Sequence, residues 1–258
     1  MIAEFSLLLT SGMSLMWCLM PRAQVTSGFF RIQMLIAMCL SILSVLAMGQ
    51  LSSTGGTPLS AELLLASRIA CGIGLLFGYL GSILWLLDRR GSGTVAMVGV
   101  AIATLVGLVA SRGGIARLMT TDGAFYFLSS LSTAGVLGGA VTGMLLGHWY
   151  LTAPTMSIEP LKILCRYLAI ALSLRIVISA CGWGMAGQNL QSSVHWTWFA
   201  LRWLAGILGP LVISIMALRI LRYRNTQAAT GVLFAGVILT FIGEMSAALL
   251  YSELRVPL

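Results

Sequence analysis

The chain has 258 residues, 59% of them hydrophobic and 9% charged, with mean hydropathy +0.99 and a formal charge of +8. A soluble domain carries roughly 25% charged residues, so this composition excludes an ordinary water-soluble fold and points to an all-α polytopic membrane protein. The basic excess lies beside apolar stretches and reads as a topology signal, not as a nucleic-acid footprint.

Apolar windows of about 20 residues predict eight transmembrane spans, with limits near 3–20, 29–50, 62–87, 93–111, 124–151, 159–183, 195–220 and 227–250. The first span has no basic n-region, carries Glu4 and lacks a small-residue cleavage site, so it reads as a retained span and not a signal peptide. Short connections rich in glycine, proline and charge separate the spans, among them "SSTGGTP", "DRRGSG" and "SRGGIARLMTTDG". The connections after spans 1, 3, 5 and 7 hold nine basic residues: Arg22, Arg31, Arg89, Arg90, Lys162, Arg166, Arg219, Arg222 and Arg224. The opposite side holds Arg112, Arg117 and Arg255. This asymmetry predicts that the first set is cytoplasmic and that both termini lie outside, in a bacterial inner membrane.

The chain contains an echo of itself. "ASRIACGI" (66–73) in span 3 aligns with "ALRWLAGI" (200–207) in span 7, which pairs Arg68 with Arg202. Trp17 matches Trp149, "AMCLS" (37–41) matches "AIALS" (169–173), and Thr104 and Gly107 match Thr240 and Gly243, all in chain order. The succession predicts a duplication, residues 1–122 and 123–258, giving two parallel four-helix bundles.

Three arginines fall inside spans: Arg68, Arg175 and Arg202. With Glu244 in "FIGEMSAALLY" they share one predicted level, roughly 10 Å below the outer face at 1.5 Å per residue. A charge at that depth costs a few kcal/mol and calls for a partner or a wet cavity. Glu244 answers one arginine, and Glu4, Glu62 and Asp122 stand on the same side to answer others. Two readings stay open: an ion-pair lock joining spans 3, 6, 7 and 8, or an outward-facing polar pocket for an anionic or carbonyl-bearing ligand such as a quinone.

His195, at the outer start of span 7 among Trp196 and Trp198, either sits solvated in an interfacial aromatic belt or lines the mouth of that pocket and moves protons. His148 falls at the opposite face, so the two histidines cannot ligate one haem, and no intrinsic cofactor is expected. The five cysteines lie in apolar segments without a C-x-x-C and read as small hydrophobes. Gly135, Gly139, Gly143 and Gly147 recur at four-residue spacing in span 5 and predict close helix packing.

"LASRIACG" in the third span and "FIGEMSAALLY" in the last resemble motifs of the eight-helix membrane subunits of polysulfide, nitrite and dimethyl sulfoxide reductase complexes. The resemblance implies paired four-helix bundles without haem, partner subunits that carry the redox centres, and a quinone or quinol site near the outer face. Arg68 and Glu244 would belong to that site, with Arg175, Arg202 and His195 forming or bordering it. A small-solute or anion transporter is the main competitor. It lacks the paired glycine or proline interruptions expected in corresponding spans, since Pro210 has no counterpart near position 76. A purely structural anchor subunit is the third possibility. No H-E-x-x-H or G-x-S-x-G motif supports an enzyme acting alone.

Overall fold

A computed structural model describes residues 2–48, 60–153, 155–186 and 192–254. Among these the chain is helical: α1 Ile2–Leu19, α2 Ser27–Ala47, α3 Ala61–Leu86, α4 Arg90–Ser111, α5 Gly114–Leu118, α6 Thr121–Trp149, α7 Glu159–Ala186, α8 Ser193–Trp203, α9 Gly209–Arg222 and α10 Thr226–Leu254. A π-helical turn, Leu204–Leu208, joins α8 to α9 without a break, so eight helical segments are long and apolar enough to cross a membrane. Helices satisfy every backbone polar group internally, which is what a hydrocarbon solvent demands.

Side chains mark several boundaries. Ser60 Oγ accepts from the Leu63 amide at α3, and Asn225 Oδ1 accepts from the Ala228 amide at α10. Helices α7 and α10 run a few residues beyond the apolar windows, because backbone hydrogen bonding does not stop where side chains turn polar. The connection "SRGGIARLMTTDG" is partly helical: Gly113 and Gly114 take φ of +102° and +75°, turn the chain at the end of α4, and α5 follows. Its Ile115 and Met119 are exposed beside Arg117, the composition of a segment lying in an interface.

The chain divides into two compact units, residues 1–127 and 128–258. In the first, α1 packs on α2 and α4, and α3 fills in between α2 and α4. Its core includes Met13, Trp17, Phe29, Phe30, Met34, Trp85 and Met97, with Phe30 stacked on Trp85. Glycines let α3 approach: a Cβ on Gly78 would lie 3.2 Å from the Met34 carbonyl oxygen.

In the second unit, Val136 and Ala140 of α6 and Leu168 and Leu172 of α7 form a core against Leu211 and Val237. The four glycines of α6 do not share one partner. Gly135 and Gly139 face Ala171 and Leu168 of α7, Gly147 faces Thr230 of α10, and Gly143 has open space. A four-residue step advances a helix by about 40° beyond a full turn, so the row winds from one neighbour to the next.

The two units repeat a helix crossing. A Cβ on Gly107 of α4 would lie 3.5 Å from Ala70 of α3, and a Cβ on Gly243 of α10 would lie 1.9 Å from Gly206 Cα. Ala70 precedes Gly206 by the same separation as Gly107 precedes Gly243. That separation also relates Asp88 to Arg224, the two non-glycine residues with positive φ among the described residues, 54° and 57°, which end α3 and α9. Buried positions in α3 and α9 keep this register, Gly74 with Pro210, Gly78 with Ser214 and Gly81 with Ala217. Before the π turn the register slips by one residue. Buried Ser67 then takes the place of buried Arg202, and Arg68, which matches Arg202 by sequence, is exposed. The π turn holds the extra residue: the Gly209 amide donates to the Leu204 carbonyl, five residues back. It also accommodates Pro210, which has no amide hydrogen to donate inside a helix.

Candidate functional site

The intramembrane charges of the second unit converge on one level. Arg202 lies nine residues into α8, Glu244 ten residues before the end of α10 and Arg175 eleven before the end of α7. These are depths of roughly 14 to 17 Å from the same end of the unit, somewhat deeper than the apolar windows imply because the helices are longer.

Arg202 and Glu244 form an ion pair, Nη1 to Oε1, at 2.7 Å. The side chains are 0% and 8% exposed. Two residues make the contact possible. Glu244 follows Gly243, Arg202 lies one turn before Gly206, and these glycines place the two backbones against each other. Any larger residue at either glycine would hold the carboxylate away from the guanidinium. The guanidinium is a charge-assisted donor in a medium of low dielectric, where such a bond is strong and an uncompensated charge is costly.

Arg175 is met by α6. Its Nη1 donates to Ser129 Oγ at 2.7 Å, the Ser129 carbonyl at 3.0 Å and Ser132 Oγ at 3.2 Å. The run "SSLST" (129–133) is buried throughout its polar members, which is unusual for the start of an apolar span. That cluster of hydroxyls was the available signal for Arg175's partner, and reasoning from charge alone passes over it. Both arginines thus cross-link helices: α8 to α10, and α7 to α6.

His195 stands at the start of α8, with Nε2 paired to Glu253 at the end of α10. Its ring lies 6.0 Å from that of Trp198. Nearby in sequence, Phe199 sits among Trp183, Trp196 and Trp203, with ring centroids 5.5 to 6.0 Å apart. Trp183 and Trp196 are half-exposed, the arrangement of an aromatic belt at a membrane boundary. Glu253 was not anticipated as a partner because it lies beyond the apolar window. The Trp203 indole N–H, adjacent in sequence to Arg202, has no hydrogen-bond partner among the described residues.

In the first unit Glu4 pairs with Arg112, tying the start of α1 to the end of α4, and so answers none of the intramembrane arginines. Glu62 and Asp122 are exposed. Arg68 is exposed on α3 and has no hydrogen-bond or ion-pair partner among the described residues. A shallow surface depression is lined by Val109, Arg112, Gly114, Leu118, Gly123 and Phe127.

Two further motifs have structural explanations. In "GHWYLTAP", Tyr150 is buried just past α6 and its hydroxyl donates to the Ser157 carbonyl, closing the turn into α7. Burial pushes that phenol above the usual tyrosine range. At the end of α3, Asp88 accepts from Ser27 and pairs with Arg90 at 3.6 Å, which fastens the connection to the start of α2. Cys71 and Cys165 are buried among apolar neighbours, and among the described residues no three His, Cys, Asp or Glu side chains group as metal ligands.

Fold and charges together define an all-α multi-pass membrane protein, some of whose intramembrane ions are matched within its own helices. Comparison with family models, curated proteins and solved structures finds nothing that matches the chain.

Proposed function

We propose that the chain is a structural subunit of a membrane-embedded electron-transfer complex of the kind its motifs resemble. It lies in a bacterial inner membrane with both termini outside, and partner subunits carry the redox centres. The observation that carries the structural role is the closed Arg202–Glu244 pair at 2.7 Å. Its charges neutralise one another, and the guanidinium is fully enclosed, so a ligand headgroup would have to displace protein to reach it. A role as scaffold also fits the repeated crossing, which is what a duplicated four-helix unit would keep.

A second reading, a quinone site in the outer leaflet, draws on Trp203. Its unpaired indole N–H next to Arg202 is the kind of donor a quinone carbonyl takes, and Glu244 is an acid at hand to relay a proton. Arg175 and His195 would border that site. Arg68 would belong to it only through the family resemblance.

The two readings separate in a mild-detergent purification of the chain with its neighbours, comparing wild type with Arg202→Met/Glu244→Met. A scaffold keeps its neighbours and its quinol-oxidising rate in the double variant, because the paired charges are exchanged for apolar groups of similar size. Loss of quinol oxidation from an intact assembly establishes the quinone site and overturns the structural reading.

A further inference from the structure

Arg68 poses a problem that the described residues do not solve. It lies seven residues into α3, roughly 10 Å along the helix from the start at Ala61. It is exposed, and no described residue forms a hydrogen bond or ion pair with it. Around it α3 exposes Leu65 at 58%, Ile69 at 54% and Leu76 at 58%. Arg175 and Arg202, in contrast, are buried against acceptors of the protein itself. A guanidinium on an aliphatic surface within a span calls for a counter-charge or acceptor, and none of the described residues supplies one.

Geometry favours one source. Side chains on a helix lean toward its N-terminus, and the N-terminus of α3 is the nearer membrane boundary. The long arginine side chain therefore climbs toward that boundary and brings its charge to headgroup level while its methylenes stay in hydrocarbon. One turn below, Gly72 has nothing within 4 Å of a built Cβ. The neighbouring helix is α2: Gly74 meets Ser41, and Ser67 Oγ lies 3.8 Å from the Met48 sulfur, so residues 41–48 run beside 67–74. Leu43 and Leu46 on that stretch are exposed, Leu46 at 75%. A cation near the boundary, an open glycine beneath it and aliphatic side chains beside both have the layout of a phospholipid: phosphate, glycerol and acyl chain.

We propose that Arg68, Gly72 and the adjoining surface of α2 and α3 form a binding site for an anionic phospholipid, with the guanidinium donating to the phosphate and an acyl chain lying over Gly72. The site prefers a phosphodiester that bears no compensating ammonium. Arg68→Lys keeps part of the preference as a point charge, and a larger side chain at Gly72 blocks the acyl chain whatever the headgroup.

The test uses the full chain in nanodiscs of phosphatidylcholine with one fifth phosphatidylglycerol, followed by mild detergent release and native mass spectrometry of retained lipid. Wild type should retain phosphatidylglycerol over phosphatidylcholine by about fivefold relative to the bulk ratio, the effect expected of one arginine at the headgroup level. Arg68→Gln should bring the ratio to that of the bulk, and Gly72→Leu should lower retention of both lipids. Both positions are open in the structure, so both variants should unfold with wild-type midpoints, which is measured in the same preparations. Unchanged enrichment in Arg68→Gln overturns the proposal. So does a result in which a polyleucine transmembrane peptide with one buried Glu binds wild type but not Arg68→Gln in pure phosphatidylcholine. Arg68 would then serve a partner helix.

Discussion

The crossing of α8–α9 with α10 is the most constrained point in the second unit, and Gly243→Ala tests it. A Cβ there would lie 1.9 Å from Gly206 Cα and 2.6 Å from its nitrogen, both backbone atoms that no rotamer change can move. Ordinary contact begins near 3.4 Å, so the helices must separate by roughly 1.5 Å. The Arg202–Glu244 bond at 2.7 Å would then stretch beyond hydrogen-bonding range unless both side chains extend. Overpacking costs about 1–3 kcal/mol, and full loss of a buried pair costs about 3–5. A combined loss of about 3 kcal/mol follows if the pair is partly retained. The same helix supplies its own control in Gly231, where a built Cβ meets nothing within 4 Å. Gly231→Ala should be neutral or stabilising by up to about 1 kcal/mol, since alanine is the better helix former. Unfolding in mixed micelles of increasing dodecyl sulfate, followed by tryptophan fluorescence, measures both. Equal midpoints for the two alanine variants would refute the crossing as described.

Removing one partner of the ion pair should be far worse than removing both. Glu244→Ala leaves a buried guanidinium and should cost about 3–5 kcal/mol, whereas Arg202→Met/Glu244→Met should lie within about 1–2 kcal/mol of wild type; a double-mutant cycle in the same micelles reads the difference. Arg224 ends α9 with φ 57°, a conformation that costs an L-residue roughly 1–2 kcal/mol, so Arg224→Gly should stabilise by about 1 kcal/mol. Thermal unfolding in detergent checks the sign. Alkaline phosphatase fused after Glu253 should be active and the same reporter fused after Arg224 inactive, as the arginine asymmetry requires. The reverse activities would invert the topology.

The spans were legible because hydrocarbon imposes a single requirement, a predominantly apolar run about 20 residues long, and eight helices among the described residues meet it even where one carries a charge. What the periodicity of single residues could not convey was register. Matching Arg68 to Arg202 by identity puts an exposed residue opposite a core one: that match has an offset of 134 residues, whereas the helices keep 136 after the π turn and 135 before it, a slip that leaves no gap in an apolar sequence. Pro210 was its visible sign: a proline deep in a span needs a local change in hydrogen bonding. The partners of Arg175 were missed for a related reason. Serine carbonyls and hydroxyls neutralise no charge on paper, yet three acceptors from two serines solvate a guanidinium well. Glu4 was misassigned among the counter-ions because depth was considered without azimuth, and its position on α1 turns it to Arg112.

The repeated crossing shows how one packing problem admits two chemical solutions. In the first unit Ala70 faces Gly107, and Ser67 Oγ donates to the Gly107 carbonyl at 3.0 Å, a neutral bond that leaves α3 and α4 at ordinary contact. In the second unit glycine replaces alanine, the backbones close further, and Arg202 and Glu244 take over the cross-link. Each difference requires the others. A carboxylate opposite Ser67 would be an unpaired charge, and an alanine at position 206 would hold Arg202 out of reach of Glu244. Glycine, acid and arginine therefore act as one unit of structure, and a change to any of them alone is expected to be more damaging than the exchange of all three for the serine–alanine arrangement.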